Sequence, residues 1–219
     1  MPSMPSRHRT RRGPALALAA LVASFAAGAG ASAASTPPPS PPLYPASAYQ
    51  GAAHLRHFVA LARAHPKNLT DQFEAAVASF QNARPRQAIA YYLACVRLDP
   101  SFAEAYNDIG NVYRESLGNT KAALAYYLKA TQVNPGYPFG WLNLGFVYQS
   151  RHQDARAAQA YLAAARHDPG YDGTWDALVG LYVADKEHAL AQRYARQALK
   201  ALPKGDPSRP YLEKVARGR

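Results

Sequence analysis

Cysteine is nearly absent from this chain: Cys95 is the single one in 219 residues. One thiol excludes an internal disulfide and every paired-cysteine redox or metal motif. The chain also has no nucleophile elbow, no phosphate-binding glycine loop and no His-Glu zinc helix. Its seven histidines are scattered without a local triad. His54 and His57 stand three residues apart, but no third ligand lies near them in sequence, so no metal site is expected. These absences argue against an enzyme and against a bound cofactor. Acidic residues are also scarce, with 14 Asp and Glu against 25 Lys and Arg.

Long apolar runs are missing, with one exception. Arg7, Arg9, Arg11 and Arg12 precede an Ala/Leu-rich run from Pro14 to Ala31, closed by Ala31-Ser32-Ala33. A charged start, an apolar run and a small-x-small site describe a secretory signal, with cleavage expected near Ala33. The alternative is an uncleaved anchor at 14–31, although alanine and glycine partition weakly into lipid. No cysteine closes the run, which excludes a lipoprotein anchor, and Gly13-Pro14 departs from a twin-arginine signal. Six prolines follow between Pro37 and Pro45, and such a run favours an extended tether without a packed core. The chain is therefore read as exported, periplasmic or secreted, or else held at the inner membrane by 14–31.

Beyond residue 50 the chain is periodic. Prolines fall at 66, 100, 135, 169 and 203, and aromatic pairs seven apart keep the same beat: Phe73 and Phe80, Tyr106 and Tyr113, Trp141 and Tyr148, Trp175 and Tyr182. Trp141, Leu144, Gly145 and Tyr148 sit at i, i+3, i+4 and i+7, one face of a helix, with Ala157 and Tyr161 on a second and Pro169 ending it. This pattern resembles the tetratricopeptide repeat, a helix-turn-helix unit of ~34 residues. The resemblance implies an all-α, right-handed superhelical solenoid of about four repeats, with an amino-terminal half-repeat and a short carboxy-terminal capping helix. The expected divisions are a signal at 1–33, a linker at 34–50, the half-repeat at 51–67, the solenoid at 68–203 and a cap with basic tail at 204–219.

Departures from the pattern carry their own expectations. Val77 replaces the glycine of the first full repeat and implies wider packing. Val179 and Ala195 replace glycine and aromatic in the fourth, whose second helix is expected to be looser. The second repeat is one residue long, with the excess expected at the Gly118-Asn119 turn. Asp154 is expected to cap a helix. Cys95 stands where other repeats carry Ala130 and Ala164, as a small buried residue.

The resemblance also implies a groove lined by the first helix of each repeat. The side chains left there after subtracting the core stripe include Asn107, Asp108, Asn111 and Arg114, then Leu142, Asn143 and Phe146, then Asp176. Carboxamides suit an extended peptide because they both donate and accept, and Leu142 with Phe146 would add an apolar pocket. With Arg114 the lone cation, a clamp for a carboxy-terminal carboxylate is not expected. The reading is a non-catalytic scaffold that binds a peptide segment or helix of a protein partner, without nucleic acid. The alternative is a tether: nine Lys and Arg against three Asp and Glu from Lys186 to Arg219 would dock the carboxy terminus on anionic lipid or cell-wall polymer.

Overall fold

The computed structural model describes residues 48–218. The signal segment, the linker up to residue 47 and Arg219 lie outside the described residues. Among those described, the regular structure is helical throughout: α1 (Ala52–Ala64), α2 (Leu69–Gln81), α3 (Pro85–Leu98), α4 (Ala103–Asn111), a π-helical turn (Val112–Ser116), α5 (Thr120–Val133), α6 (Pro138–Gln149), α7 (Asp154–His167), α8 (Asp172–Ala184), α9 (His188–Ala201) and α10 (Arg209–Ala216). None of these helices is long and apolar enough to cross a membrane. Helices α2 with α3, α4 with α5, α6 with α7 and α8 with α9 form the hairpins, and each second helix leans on the first helix of the next. This is the expected solenoid.

Local chemistry accounts for the helix ends. The side chains of Asn68 and Asn119 accept from the backbone N–H groups of Asp71 and Ala122 at 3.2 and 3.0 Å, satisfying donors that a first turn leaves free. Pro85 and Pro138 open α3 and α6, where a missing N–H costs nothing. Asp154 is not a cap: it is the first helical residue of α7, after Gln153, where its charge favours the positive helix end.

The hairpins close on glycine. A Cβ on Gly145 would lie 2.3 Å from Cε1 of Tyr161, and one on Gly110 would lie 2.5 Å from Cε1 of Tyr127. Both rings are fully buried, so each glycine is the space in which a tyrosine sits. The fourth repeat reverses the exchange, with Val179 on the first helix and Ala195 on the second, both at 0% exposure. The larger residue on one side replaces the smaller on the other, yet α9 packs on α8 less extensively than α3, α5 and α7 pack on their partners, as expected for this repeat.

One hydrogen bond recurs with the repeat. Trp141 Nε1 donates to the Pro135 carbonyl and Trp175 Nε1 to the Pro169 carbonyl, each at 2.8 Å. Both ties satisfy a carbonyl released where the preceding helix ends. The indoles differ in burial, Trp175 being almost fully enclosed and Trp141 half-buried.

Both ends of the stack are half-repeats. At the amino end α1 buries Val59 and Ala62, and Tyr49 stacks on Phe58 with ring centroids 4.9 Å apart. At the carboxy end Arg209 and Leu212 fall one repeat after Trp175 and Leu178, so α10 takes the place of a fifth first helix. Leu212 is fully buried. Arg209 stands in the tryptophan position and does a similar job, its Nη1 donating to the Leu199 and Leu202 carbonyls at 2.9 and 3.0 Å. The extra residue of the second repeat is not in the Gly118 turn. It is absorbed just before, where Val112–Ser116 widens into a π-turn.

Candidate functional site

The first helices of the second and third repeats meet through side-chain amides. Asn143 Nδ2 on α6 donates to Asn107 Oδ1 at 2.8 Å and to Asn111 Oδ1 at 3.3 Å. Asn107 and Asn111 in turn donate to Asp108 Oδ1, each at 3.2 Å. The hydroxyl of Tyr127 on α5 donates to Asn111 Oδ1 at 2.8 Å, and the Tyr92 hydroxyl on α3 bonds the Asp108 carboxyl. Four helices from three repeats are stitched by one polar network.

That geometry corrects the sequence-based groove. Asn107 and Asn143 are buried at 2% and 0% exposure, and their amides are spent largely on each other and on Asp108 rather than held open along a wall. Leu142 and Phe146 are buried too, in the core shared with Trp175, Leu178 and Val179, with the Phe146 ring edge-on to Tyr161 at 5.5 Å. The physical reason is the stacking: α6 is apolar nearly all round, burying Leu142, Leu144, Phe146 and Val147, as a helix enclosed on both sides must be. Phe146 is therefore a packing residue, and no apolar pocket stands beside the amides. Asp108, Asn111, Arg114 and Asp176 remain partly exposed.

Asp108 is the most perturbed acid of the network. Burial first, and the Glu104 carboxylate second, push its carboxyl from 3.8 up to about 8, against the hydrogen bonds from Asn107, Tyr92 and Asn111 that favour ionisation. Burial raises Glu104 as well. The folded state therefore holds a proton that the unfolded chain has already released. Stability from this source is complete below pH ~4 and is lost as pH rises from there through about 8. Thermal melting should accordingly fall between pH ~5.5 and ~8.5, and Asp108→Asn should flatten that slope. A variant with an unchanged slope would show that Asp108 does not carry the proton.

Arg114 projects from the π-turn. Its Nη2 donates to Glu115 Oε1 at 2.7 Å, its side chain is 15% exposed, and its Nε has no partner among the described residues. Asp176, at the far end of the first-helix wall, is tied to the cap, accepting from the Ser208 hydroxyl at 2.5 Å. Gln149 accepts from the buried Tyr161 hydroxyl at 2.7 Å. Sequence reasoning missed this role for Gln149 and for the three tyrosines, whose place in the helix pattern signals only core.

Other candidates resolve into structure. Burial pushes the Cys95 thiol up to about 12, which makes it inert. His54 Nδ1 lies 2.7 Å from the Gln50 carbonyl oxygen, and no group of three or more His, Cys, Asp or Glu among the described residues is placed to hold a metal ion. The basic end is partly spent: Arg209 binds helix carbonyls, and Arg217 lies 3.5 Å from Glu213.

Residues 72–102 and 103–137 match the family model described as tetratricopeptide repeat. A search of curated proteins found no match. Solved structures are similar in fold. One is MamA, with a TM-score of 0.58 and 24% identity over 68% of this chain and 86% of that one. A second is MamA from Desulfovibrio magneticus RS-1, with a TM-score of 0.56 and 18% identity over 68% of this chain and 84% of that one. A third is TTC0263, a thermophilic TPR protein in Thermus thermophilus, with a TM-score of 0.57 and 19% identity over 75% of this chain and 90% of that one. By the period of its prolines and aromatics, by the glycine–tyrosine hairpins and by these likenesses, this chain has the fold of a tetratricopeptide-repeat solenoid, and its residues 72–137 carry two repeats of that family.

Proposed function

We propose that this protein is a non-catalytic scaffold that takes an extended segment or helix of a protein partner against its first helices, in the periplasm or cell envelope. Tetratricopeptide-repeat folds generally mediate protein–protein interaction, and the charged start and apolar run at 1–33 support the envelope. The observation that carries the site is Arg114: a largely enclosed guanidinium whose Nε lacks an acceptor, beside the half-buried Asn111. Enclosed donors are normally paired, and a backbone carbonyl of a bound segment supplies the acceptor this one lacks. The titratable groups that converge nearby, Asp108 and Tyr92, are bonded to each other, which suits a joint better than a reaction centre.

Capture of a partner from envelope extract by residues 46–219 tests this reading. Arg114→Ala should reduce retention about tenfold or more, since truncating a well-enclosed anchor commonly costs ~2 kcal/mol. Its one ion pair among the described residues is with the exposed Glu115, so melting should shift little by comparison. Retention unchanged in that variant would refute the site.

A further inference from the structure

Charge in this molecule is sorted by helix. The five second helices, α1, α3, α5, α7 and α9, hold eleven Lys and Arg and one acid, Asp154. The first helices of the full repeats, α2, α4, α6 and α8, hold six Asp and Glu and no Lys or Arg; the π-turn after α4 adds Arg114 and Glu115, and α10, in the place of a fifth first helix, holds Arg209, Lys214 and Glu213. All eleven cations are exposed, and none forms an ion pair among the described residues. Arg63, Arg97, Arg166 and Lys200 recur at one position, in the last turn of four of the five second helices, with Gln132 there in α5, so they form a column along the stack that is broken at α5.

Helix stability accounts for that column alone, because a cation at a carboxy-terminal turn complements the helix dipole. It does not account for Arg86, Lys121 and Arg156, which lie in the first turns of α3, α5 and α7, where the same dipole opposes a cation. Arg156 and Arg193 lie over the rings of Tyr148 and Tyr194, and Arg196 donates to the Ala216 carbonyl. Those contacts place three of the side chains without neutralising any charge. Repulsion among unpaired like charges is a further cost, and Asp154 is the single acid on these helices that could relieve it. Asp99 and Asp168 cap the ends of α3 and α7 and Glu187 precedes α9, so with Asp154 four acids on or flanking the second helices stand against their eleven cations, and a surplus of positive charge remains.

We infer that the second-helix face is a docking surface for an anionic phospholipid bilayer. An array of unpaired cations spread over five helices is complementary to an extended anionic plane, and each cation close to such a leaflet adds to the attraction. The charged start and apolar run at 1–33, whether a cleaved export signal or an anchor, would carry the chain to a membrane and away from nucleic acid, which favours lipid as the polyanion. Docking by this face leaves the first helices turned away from the membrane and open to a partner. It does not depend on the Arg114 site, nor on the carboxy-terminal tail.

The test is co-sedimentation of the full chain with vesicles of mixed phosphatidylglycerol and phosphatidylcholine, against phosphatidylcholine alone. Insertion of the amino-terminal run is common to both, so the preference between them reads charge. The wild type should prefer the anionic vesicles and lose that preference in raised salt. Arg97→Glu, Arg166→Glu and Lys200→Glu together should lower the preference by about tenfold or more, while Lys214→Glu with Arg217→Glu leaves most of it. If the triple reversal fails to fold by circular dichroism, the corresponding Gln variants give the same comparison. Equal binding to both vesicles overturns the inference, as does a preference untouched by the triple variant or lost only in the tail variant. Displacement of the protein from anionic vesicles by an equal charge of duplex DNA would assign the face to nucleic acid instead.

Discussion

Gly145→Val should destabilise the protein by about 3 kcal/mol, near the upper end of what overpacking usually costs, and in a Tyr161→Ala background the same change should cost little. The first half follows from distance: even a Cβ at position 145 falls 2.3 Å from the Tyr161 ring, and that ring cannot swing away, being fully buried with its hydroxyl held on Gln149. The second half follows from the fourth repeat, which already runs on the Val179 and Ala195 pair with both residues enclosed. Alone, Tyr161→Ala empties the same space and should cost ~3–5 kcal/mol. The two changes should therefore couple by up to ~3 kcal/mol in a double-mutant cycle followed by denaturant unfolding. Additive losses would mean that the two positions do not share one volume.

Trp175→Ala should be the most damaging tryptophan substitution, costing ~3–5 kcal/mol out of a total that for such domains is ~5–15 kcal/mol. The indole is 2% exposed, belongs to the core that joins the third and fourth repeats, and closes the end of α7 through the Pro169 carbonyl. Trp141 makes the matching bond to Pro135 but stays half-buried, so Trp141→Ala should lower the melting temperature less. The ordering is the test. A Trp141 variant as unstable as the Trp175 variant would place the indole deeper than the structure does.

The hairpin architecture was legible because each hairpin is a local event. Gly145 and Tyr161 meet inside one helix-turn-helix unit, so spacing alone reports their contact. What faces a groove is a different kind of question. Whether Asn143 or Phe146 is open depends on how far the next repeat turns before it packs, and no residue within one unit encodes that angle. Hence Asn143, read as a peptide ligand, instead bonds Asn107 and Asn111 across two helices, and Phe146 joins the core. Charge shows a third case. The surplus looked carboxy-terminal when counted along the chain, whereas counting by helix separates first helices from second. That sorting was present in the letters but invisible until each helix had a side.

An array of identical units normally changes length only in whole units, since one residue added to an α-helix rotates everything after it by about 100°. The widened turn at Val112–Ser116 lets this chain carry a remainder. It takes up the surplus within a single turn, so α5 and all later helices resume in phase and Tyr127 still lands on Gly110. The joint that corrects the phase also aims Arg114. An error in chain length, contained rather than removed, becomes the means by which one repeat differs usefully from its neighbours.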